Sequence, residues 1–403
     1  MLQGIRKQSG NYLFLLLILG MGFMQCRPDS SASEEKTAYL ADYESPSDLW
    51  GFIDTSGQLV IPAKYDDVAS FSEGKAAVNK SGLWGYIDHD GKEIIKPQFK
   101  EAYAFHEGMA RVKPFELPAS YITSVGKIIS SDQWTAVGDF SCNRALVKVG
   151  SLFGYISFSA SSASSALPFY LCIRPAYSKA LNFEKGIALV EFDKKQGVID
   201  LKGEYIIPAH YNRIIISSGR DLILGNTDSY SMIWKPDGTV LDSIPSVTSM
   251  DTDGSLVSIS KDGKMQFYVI ETKHLMEDDL YEQLFYLGEH RWCGKQENLY
   301  YLLDENGKQV GKTGYKQINK FSNGIAVYLR GKSWGYIDAN GKELTEPIFG
   351  LAWDYKNGFA RAAFEDGIAF INSKQQLAFY PPEGTLEMRD FSEGLAPVQI
   401  RNQ

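Results

Sequence analysis

Ser72 and Lys75 stand three residues apart in Ser72-Glu-Gly-Lys75, a spacing at which a lysine can assist a serine nucleophile. Three acidic turns, Asp88-His-Asp-Gly91, Asp251-Thr-Asp-Gly254 and Asp304-Glu-Asn-Gly307, carry oxygen ligands of the kind calcium takes. His290-Arg-Trp-Cys293 offers two softer metal ligands close together. Closer counting weakens each of them. A calcium loop of the EF-hand type ends on a bidentate Glu at its twelfth position, and counted from Asp88 that residue is Phe99. Asp and Asn are also what hairpin turns select. The chain has five His and no second ligand cluster to complete a site with His290 and Cys293. Gly-x-Ser-x-Gly, His-Glu-x-x-His and phosphate-cradling glycine loops are absent from the sequence. The expectation is a protein without catalytic, metal-ligating or cofactor-binding residues.

The segments that would have to position such groups are copies of one pattern. Leu83-Trp-Gly-Tyr-Ile-Asp-His-Asp-Gly-Lys-Glu matches Ser333-Trp-Gly-Tyr-Ile-Asp-Ala-Asn-Gly-Lys-Glu. Blocks of this kind start at Trp50, Trp84, Ala119, Phe153, Gln196, Ser231, Gln266, Tyr300, Trp334 and Ile368. A second block follows each, at Phe71, Phe105, Phe140, Phe183, Ser217, Thr252, Leu287, Phe321, Tyr355 and Phe391. The step between the two blocks is 21 residues in eight of the ten copies, and the step onward is 13 or 14 throughout. Copies five to seven keep the spacing and have lost most signature residues. Such a period marks a repeat array rather than one enzyme core. Lys75 is replaced by Met109, Ile187 and Ile325 in sister copies, so Ser72-Glu-Gly-Lys75 reads as one decorated structural turn.

A Gly seven positions into the first block, such as Gly91 or Gly341, follows a polar pair between two alternating apolar runs. That is the signature of a hairpin with a short bulged turn. A second Gly three positions into the second block, such as Gly108, marks another turn, and Asn143 takes its place once. Ala recurs two positions later (Ala76, Ala110, Ala145, Ala188, Ala326, Ala360, Ala396), where a small side chain implies close approach by a neighbouring strand. Each copy therefore reads as a three-stranded antiparallel meander. The segment from Tyr65 to Phe71 adds a short fourth strand or a turn.

Trp50-Gly-Phe-Ile-Asp, Trp84-Gly-Tyr-Ile-Asp and Trp334-Gly-Tyr-Ile-Asp, with the Phe-x-Glu-Gly-x-Ala blocks at Phe71, Phe105 and Phe391, carry a resemblance. Over residues 48–400 the chain resembles the bacterial WG-containing (KWG) repeat proteins. The resemblance implies an all-β repeat scaffold used for interaction, and it supplies no catalytic residues.

About ten such β-meander units can close into a β-propeller-like ring or run on as an open β-solenoid, a superhelix. The array opens on a Trp-block with no second block before Leu49 and ends on Phe391-Ser-Glu-Gly-Leu-Ala-Pro-Val. Complementary half-units of this kind favour a ring closed by strand exchange, which also removes exposed sheet edges. Ten units exceed the roughly 4–8 blades usual for propellers, so the open form stays in play.

Ahead of the array, residues 1–25 read as a secretory signal. Arg6 and Lys7 precede an apolar core, Leu13–Met24, that is too short for a comfortable membrane span. Cys26 follows at the position of a bacterial lipoprotein's lipid-modified cysteine, although Gln25 stands where a small residue is usual. Cleavage near Ser31-Ala-Ser33 is the rival. Residues 26–47 read as a flexible tether and 48–403 as the repeat array. The expected address is the bacterial cell envelope, exported and membrane-anchored through an N-terminal lipid. Removing residues 1–25 takes two positive charges and changes the formal charge from −8 to −10. An acidic exported chain has no electrostatic case for nucleic acid. Cys142, Cys172 and Cys293 remain, an odd number, so at least one thiol stays unpaired within the chain.

Function is expected where the repeat breaks, because insertions on a regular scaffold become loops on one face. Ser157–Leu171 brings Phe169 and Tyr170, and His274–Gln296 brings Tyr281, Phe285, Tyr286 and Trp292 beside Glu277, Asp278 and Asp279. These aromatics are the candidate ligand-binding residues. The functional expectation is a non-catalytic exported scaffold whose partner is an envelope protein, peptide or glycan. The alternatives are an exported hydrolase with a loop-built site and a purely structural envelope component.

Overall fold

Alternating apolar runs separated by turn residues fold into ten small antiparallel sheets, one after another along the chain. The computed structural model describes residues 31–41, 43–158, 169–217, 221–245, 250–261, 264–276, 281–311 and 313–401. The proposed signal, Cys26, most of the first repeat break and Glu277–Asp279 lie outside the described residues. Helix is confined there to Ser31–Ala41, inside the stretch that composition reads as a flexible tether.

The second sheet shows the plan. Its strands Asp67–Val68, Ala76–Lys80, Leu83–Ile87 and Glu93–Phe99 are hydrogen-bonded in that order. Seven of the ten sheets have four strands among the described residues, and three have three. The three-stranded reading is therefore corrected: the segment after Tyr65 forms a short first strand, and it belongs to the next sheet. A blade thus takes its first strand from the residues leading into one copy's second block, its second from that block, and its last two from the following Trp-block.

The ring closes. Leu49–Asp54 pairs with Leu395–Ile400 in unbroken register, from Leu49 opposite Ile400 to Asp54 opposite Leu395. The closing blade runs Leu59–Tyr65, Leu49–Asp54, Leu395–Ile400, Thr385–Met388, two strands from each end of the array. The open superhelix is overturned by this pairing.

The spacing of the two blocks has a packing cause. In six of the ten copies the ring two positions after the Trp-block start meets the ring that opens the next second block: Phe52–Phe71 at 5.0 Å, Tyr86–Phe105 at 4.9 Å, Tyr121–Phe140 at 5.1 Å, Tyr155–Phe183 at 4.7 Å, Tyr336–Tyr355 at 5.2 Å and Phe370–Phe391 at 5.0 Å. These aromatic pairs are the contact between one blade and the next. Where the ring is Tyr, its hydroxyl also donates to a main-chain carbonyl of the next blade's first strand or of the loop following that strand, as from Tyr86 to Tyr103 (2.8 Å), Tyr121 to Gly138 (2.7 Å) and Tyr336 to Trp353 (3.0 Å). The recurrent Ala side chains, Ala76 to Ala396, are all buried.

The Gly of Trp-Gly answers to a bulge. Trp84 pairs with Phe99 but Tyr86 pairs with Ile95, so two extra residues fold over Gly85. A Cβ on Gly85 would lie 2.5 Å from the Ile95 carbonyl oxygen and 2.6 Å from the Pro97 nitrogen. Gly51, Gly154 and Gly197 meet the same backbone obstruction. Pro sits in this outermost strand (Pro62, Pro97, Pro175, Pro208), where it lacks the N–H needed to recruit a further strand.

Asp closes the Trp-block by shaping the hairpin. Asp88 Oδ1 accepts the backbone N–H groups of Asp90 (3.1 Å) and Lys92 (2.9 Å), while the Gly91 N–H reaches the Asp88 carbonyl (3.0 Å) with Gly91 at φ +74°. Asp54, Asp200, Asp304 and Asp338 bond in the same way, and Asn372 does so through its amide oxygen. Asp338→Asn should therefore leave stability nearly unchanged, and Asp338→Ala should cost about 1–2 kcal/mol by stranding two donors. Urea denaturation checks this, and equal midpoints for the two variants would refute it.

Candidate functional site

Antiparallel order sends the turns between first and second strands, and between third and fourth, to one face of the ring. The turns between second and third strands, and the links between blades, lie on the other. The first face is belted. Ser72-Glu73-Gly74-Lys75 forms a two-residue hairpin with Glu73 at φ +52° and Gly74 at φ +75°, the geometry of a primed turn. A Glu in left-handed backbone is costly, and here its carboxylate has a use. Glu73 accepts the N–H groups of Glu107 (2.6 Å) and Gly108 (2.8 Å) in the next blade, and Ser72 donates to the Phe105 carbonyl (2.7 Å). Glu107 reaches the Asn143 N–H, Glu289 the Gly324 N–H and Glu393 the Gly74 N–H. Sequence reading found the turn and missed this reason for Ser and Glu. Each belt member is occupied structurally, so Ser72 and Lys75 do not form a nucleophile pair.

The eroded blades replace the belt with buried acids. Asp253 accepts from the Leu256 N–H (2.8 Å) and from the Trp292 indole of the next blade (2.7 Å). Asp251 accepts from the Tyr286 N–H (2.8 Å), and burial raises its pKa above the usual carboxylate range. Among the described residues no three His, Cys, Asp or Glu side chains gather as metal ligands. Cys293 is buried in a core cluster and its thiol is pushed up to about 12 by burial. Neither His290 nor Cys293 is placed to share a metal.

Cavities border both repeat breaks. One of about 830 Å³ lies between the fourth strand of the sixth blade (Val240–Pro245) and that of the seventh (His274–Leu275), lined by Asp242–Pro245, Tyr268 and Lys273–Met276. Tyr268 donates its hydroxyl to Asp242, and Lys273 Nζ lies 3.7 Å from the same carboxylate. Burial opposes ionisation of Asp242, but Tyr268, the Ser243 N–H and Lys273 outweigh it and hold the carboxyl below its usual range. Thr272 Oγ1 lies 2.5 Å from His274 Nδ1. The lining thus offers the Lys273 ammonium and the His274 imidazole above an apolar wall of Ile244, Pro245, Leu275 and Met276. A second cavity, about 240 Å³, is lined by Gln133, Trp134, Phe169, Tyr170 and Leu171 among others.

The six aromatic candidates do not converge. Phe169 and Tyr170 belong to the fourth blade, the other four to the eighth or the link before it. Trp292 and Tyr281 are fully buried, and Phe169 packs among Tyr121, Trp134 and Phe140. These three are core residues, a correction to the expected ligand surface; Trp292 fills the buried position at which Ala recurs in intact copies. Phe285 and Tyr286 are half-buried, and Tyr170 at 51% is the exposed member. Lys273 and His274 carried no repeat signal that would have marked them.

A closed ring of ten radiating antiparallel sheets is a ten-bladed β-propeller. Four stretches of it are WG containing repeats: the family model of that description matches residues 50–84, 84–113, 197–219 and 334–367. No curated protein matches the sequence. Similar solved structures include Hsv2p of Kluyveromyces lactis, 12% identical over 60% of this chain and 94% of that one, with a TM-score of 0.32. BamB from Moraxella catarrhalis is 12% identical over 68% and 94%, with a TM-score of 0.31. A eukaryotic initiation factor is 9% identical over 79% and 87%, with a TM-score of 0.43.

Proposed function

We propose that the protein is an exported, lipid-anchored and non-catalytic scaffold that holds a protein, peptide or glycan partner of the cell envelope. One observation carries the reading. The polar residues of the repeat are consumed in holding the propeller, in the Asp hairpins, the Ser and Glu belt and the Tyr bonds between blades, while a cavity borders each of the two places where the repeat breaks; a further one of about 500 Å³, lined by Lys356, Arg361 and Arg389 among others, lies away from them. A regular ring with irregular insertions is how a scaffold acquires a binding site. Leu13–Met24 followed by Cys26 supports export and anchoring.

The test is chemical cross-linking of the full-length protein in envelope extract, comparing wild type with Lys273→Glu and Tyr170→Ser. Both side chains are exposed, so melting temperatures should not move. A specific partner should be lost from at least one variant, by about tenfold in affinity, which corresponds to ~1.4 kcal/mol. Identical capture by all three proteins sinks the placement of the site at the breaks, and turnover of an envelope substrate by the purified protein sinks the non-catalytic reading.

A further inference from the structure

Glu35, Tyr39 and Tyr43 do not stand free of the ring. Tyr39 meets the Phe115 ring edge-on at 5.5 Å, and Lys100 pairs with Glu35 while its ammonium lies 5.0 Å from the centre of the Phe115 ring. Tyr43 hydrogen-bonds Asp66 and covers Gly82 so closely that a Cβ there would lie 2.8 Å from its ring. Phe115 sits between the second and third strands of the third blade, Gly82 in the same turn of the second, and Asp66 and Lys100 in links between blades. All four contacts fall on the face opposite the belt.

We infer that this strap sets the orientation of the ring on a membrane: the strap face lies against the lipid surface and the belted face points away from it. The inference rests on the reading that Cys26 carries the lipid. From Cys26 to Ser31 the chain can span at most about 18 Å, so the anchor cannot pass far beyond the face to which the strap is docked. Strands of five to seven residues put the belted face roughly 20 Å further out. The two faces then have different partners. The cavity of about 430 Å³ lined by Ser255, Glu271, His290 and Asn306 is built from belted-face turns and is offered to soluble or opposing partners. The cavity lined by Glu282, Gln296 and Glu297 is built from the strap face and looks toward lipid headgroups.

The experiment uses the full protein purified from membranes, with acylation of Cys26 read by mass, in phosphatidylcholine vesicles holding a headgroup spin-labelled lipid. Cys142 and Cys172 are changed to Ser; Cys293 is buried. A fluorophore is attached through Ser81→Cys or Glu297→Cys on the strap face, or Asp90→Cys on the belted face, all exposed positions. Quenching at 81 and 297 should exceed that at 90 by about threefold, given the ~20 Å depth of a blade. Equal quenching at 81 and 90 with none at 297 means a ring standing on edge, and strongest quenching at 90 means the reverse face; either overturns the inference. An unmodified Cys26 overturns the anchor reading, and the mass shows which has failed.

Discussion

Deleting Asp390–Gln403 is expected to yield a chain that aggregates and loses its cooperative melt, rather than a stable nine-bladed remnant. The deletion removes Leu395–Ile400, the partner of Leu49–Asp54 along six residue pairs. It also removes Ser392, which donates to the Phe71 carbonyl, and Glu393, which accepts the Gly74 N–H. The chain then presents two unpaired sheet edges at once, each a template for pairing with another molecule. An open array would lose only one unit and its neighbour energy. Scanning calorimetry with light scattering checks this, and a cooperative monomeric melt within a few degrees of wild type would refute it. Leu49→Cys with Ile400→Cys offers the complementary measurement, an intramolecular disulfide formed under mild oxidation across the seam.

Gly85→Ala should be among the most damaging single methyl groups in the molecule. The added Cβ meets main-chain atoms of Ile95, Lys96 and Pro97 at 2.5–2.8 Å, and backbone in a bulge cannot swing aside as a side chain does. The cost should be on the order of 3 kcal/mol, the upper range for overpacking. Gly108→Ala is the control: its φ is +79° and nothing lies within 4 Å of the added atom, so only left-handed strain of about 1–2 kcal/mol remains. Gly108→Val should cost somewhat more than the Ala variant, for the crowding of a branched side chain. Denaturant midpoints would order the variants Gly85→Ala, Gly108→Val, Gly108→Ala from least stable upward; a Gly85→Ala protein as stable as Gly108→Ala would show that the bulge does not press on Gly85.

The period, both turn glycines, the buried Ala and the closure were legible in the sequence because each is local or a matter of counting. Gly91 announces a hairpin through its neighbours Asp88 and Lys92, and the half-units at the two ends announce a seam. What was not legible depends on the adjacent blade. Glu73 looks like an ordinary turn residue until the Glu107 and Gly108 N–H groups of the next turn are beside it. Gly85 looks like part of a signature until the chain from Ile95 to Pro97 is folded over it. The segment from Tyr65 to Phe71 was legible only as a short strand or a turn, because the strand it forms, Asp67–Val68, is two residues long and too short for alternation to decide. The aromatic candidates misled for a related reason. In an eroded blade Trp292 fills the buried position that Ala holds in intact copies, so it stands out in the sequence without being exposed. Lys273 stands seven positions after Gln266, where other copies carry the turn Gly, and takes left-handed backbone at φ +54°; only the fold brings it to Asp242.

The bonds of the belt all run the same way round: Ser72 to Phe105, Ser322 to Tyr355, Asn357 to Phe391, and across the seam Ser392 to Phe71. Chemically the seam is one belted joint among several. Leu49 and Ile400 lie opposite one another at its edge, so a short linker could fuse the two ends there and new ends could be opened in another exposed hairpin, such as the one at Gly331. The ring has an order of residues but no privileged first blade, and circular permutation should be as natural to it as it is foreign to a fold whose ends lie far apart.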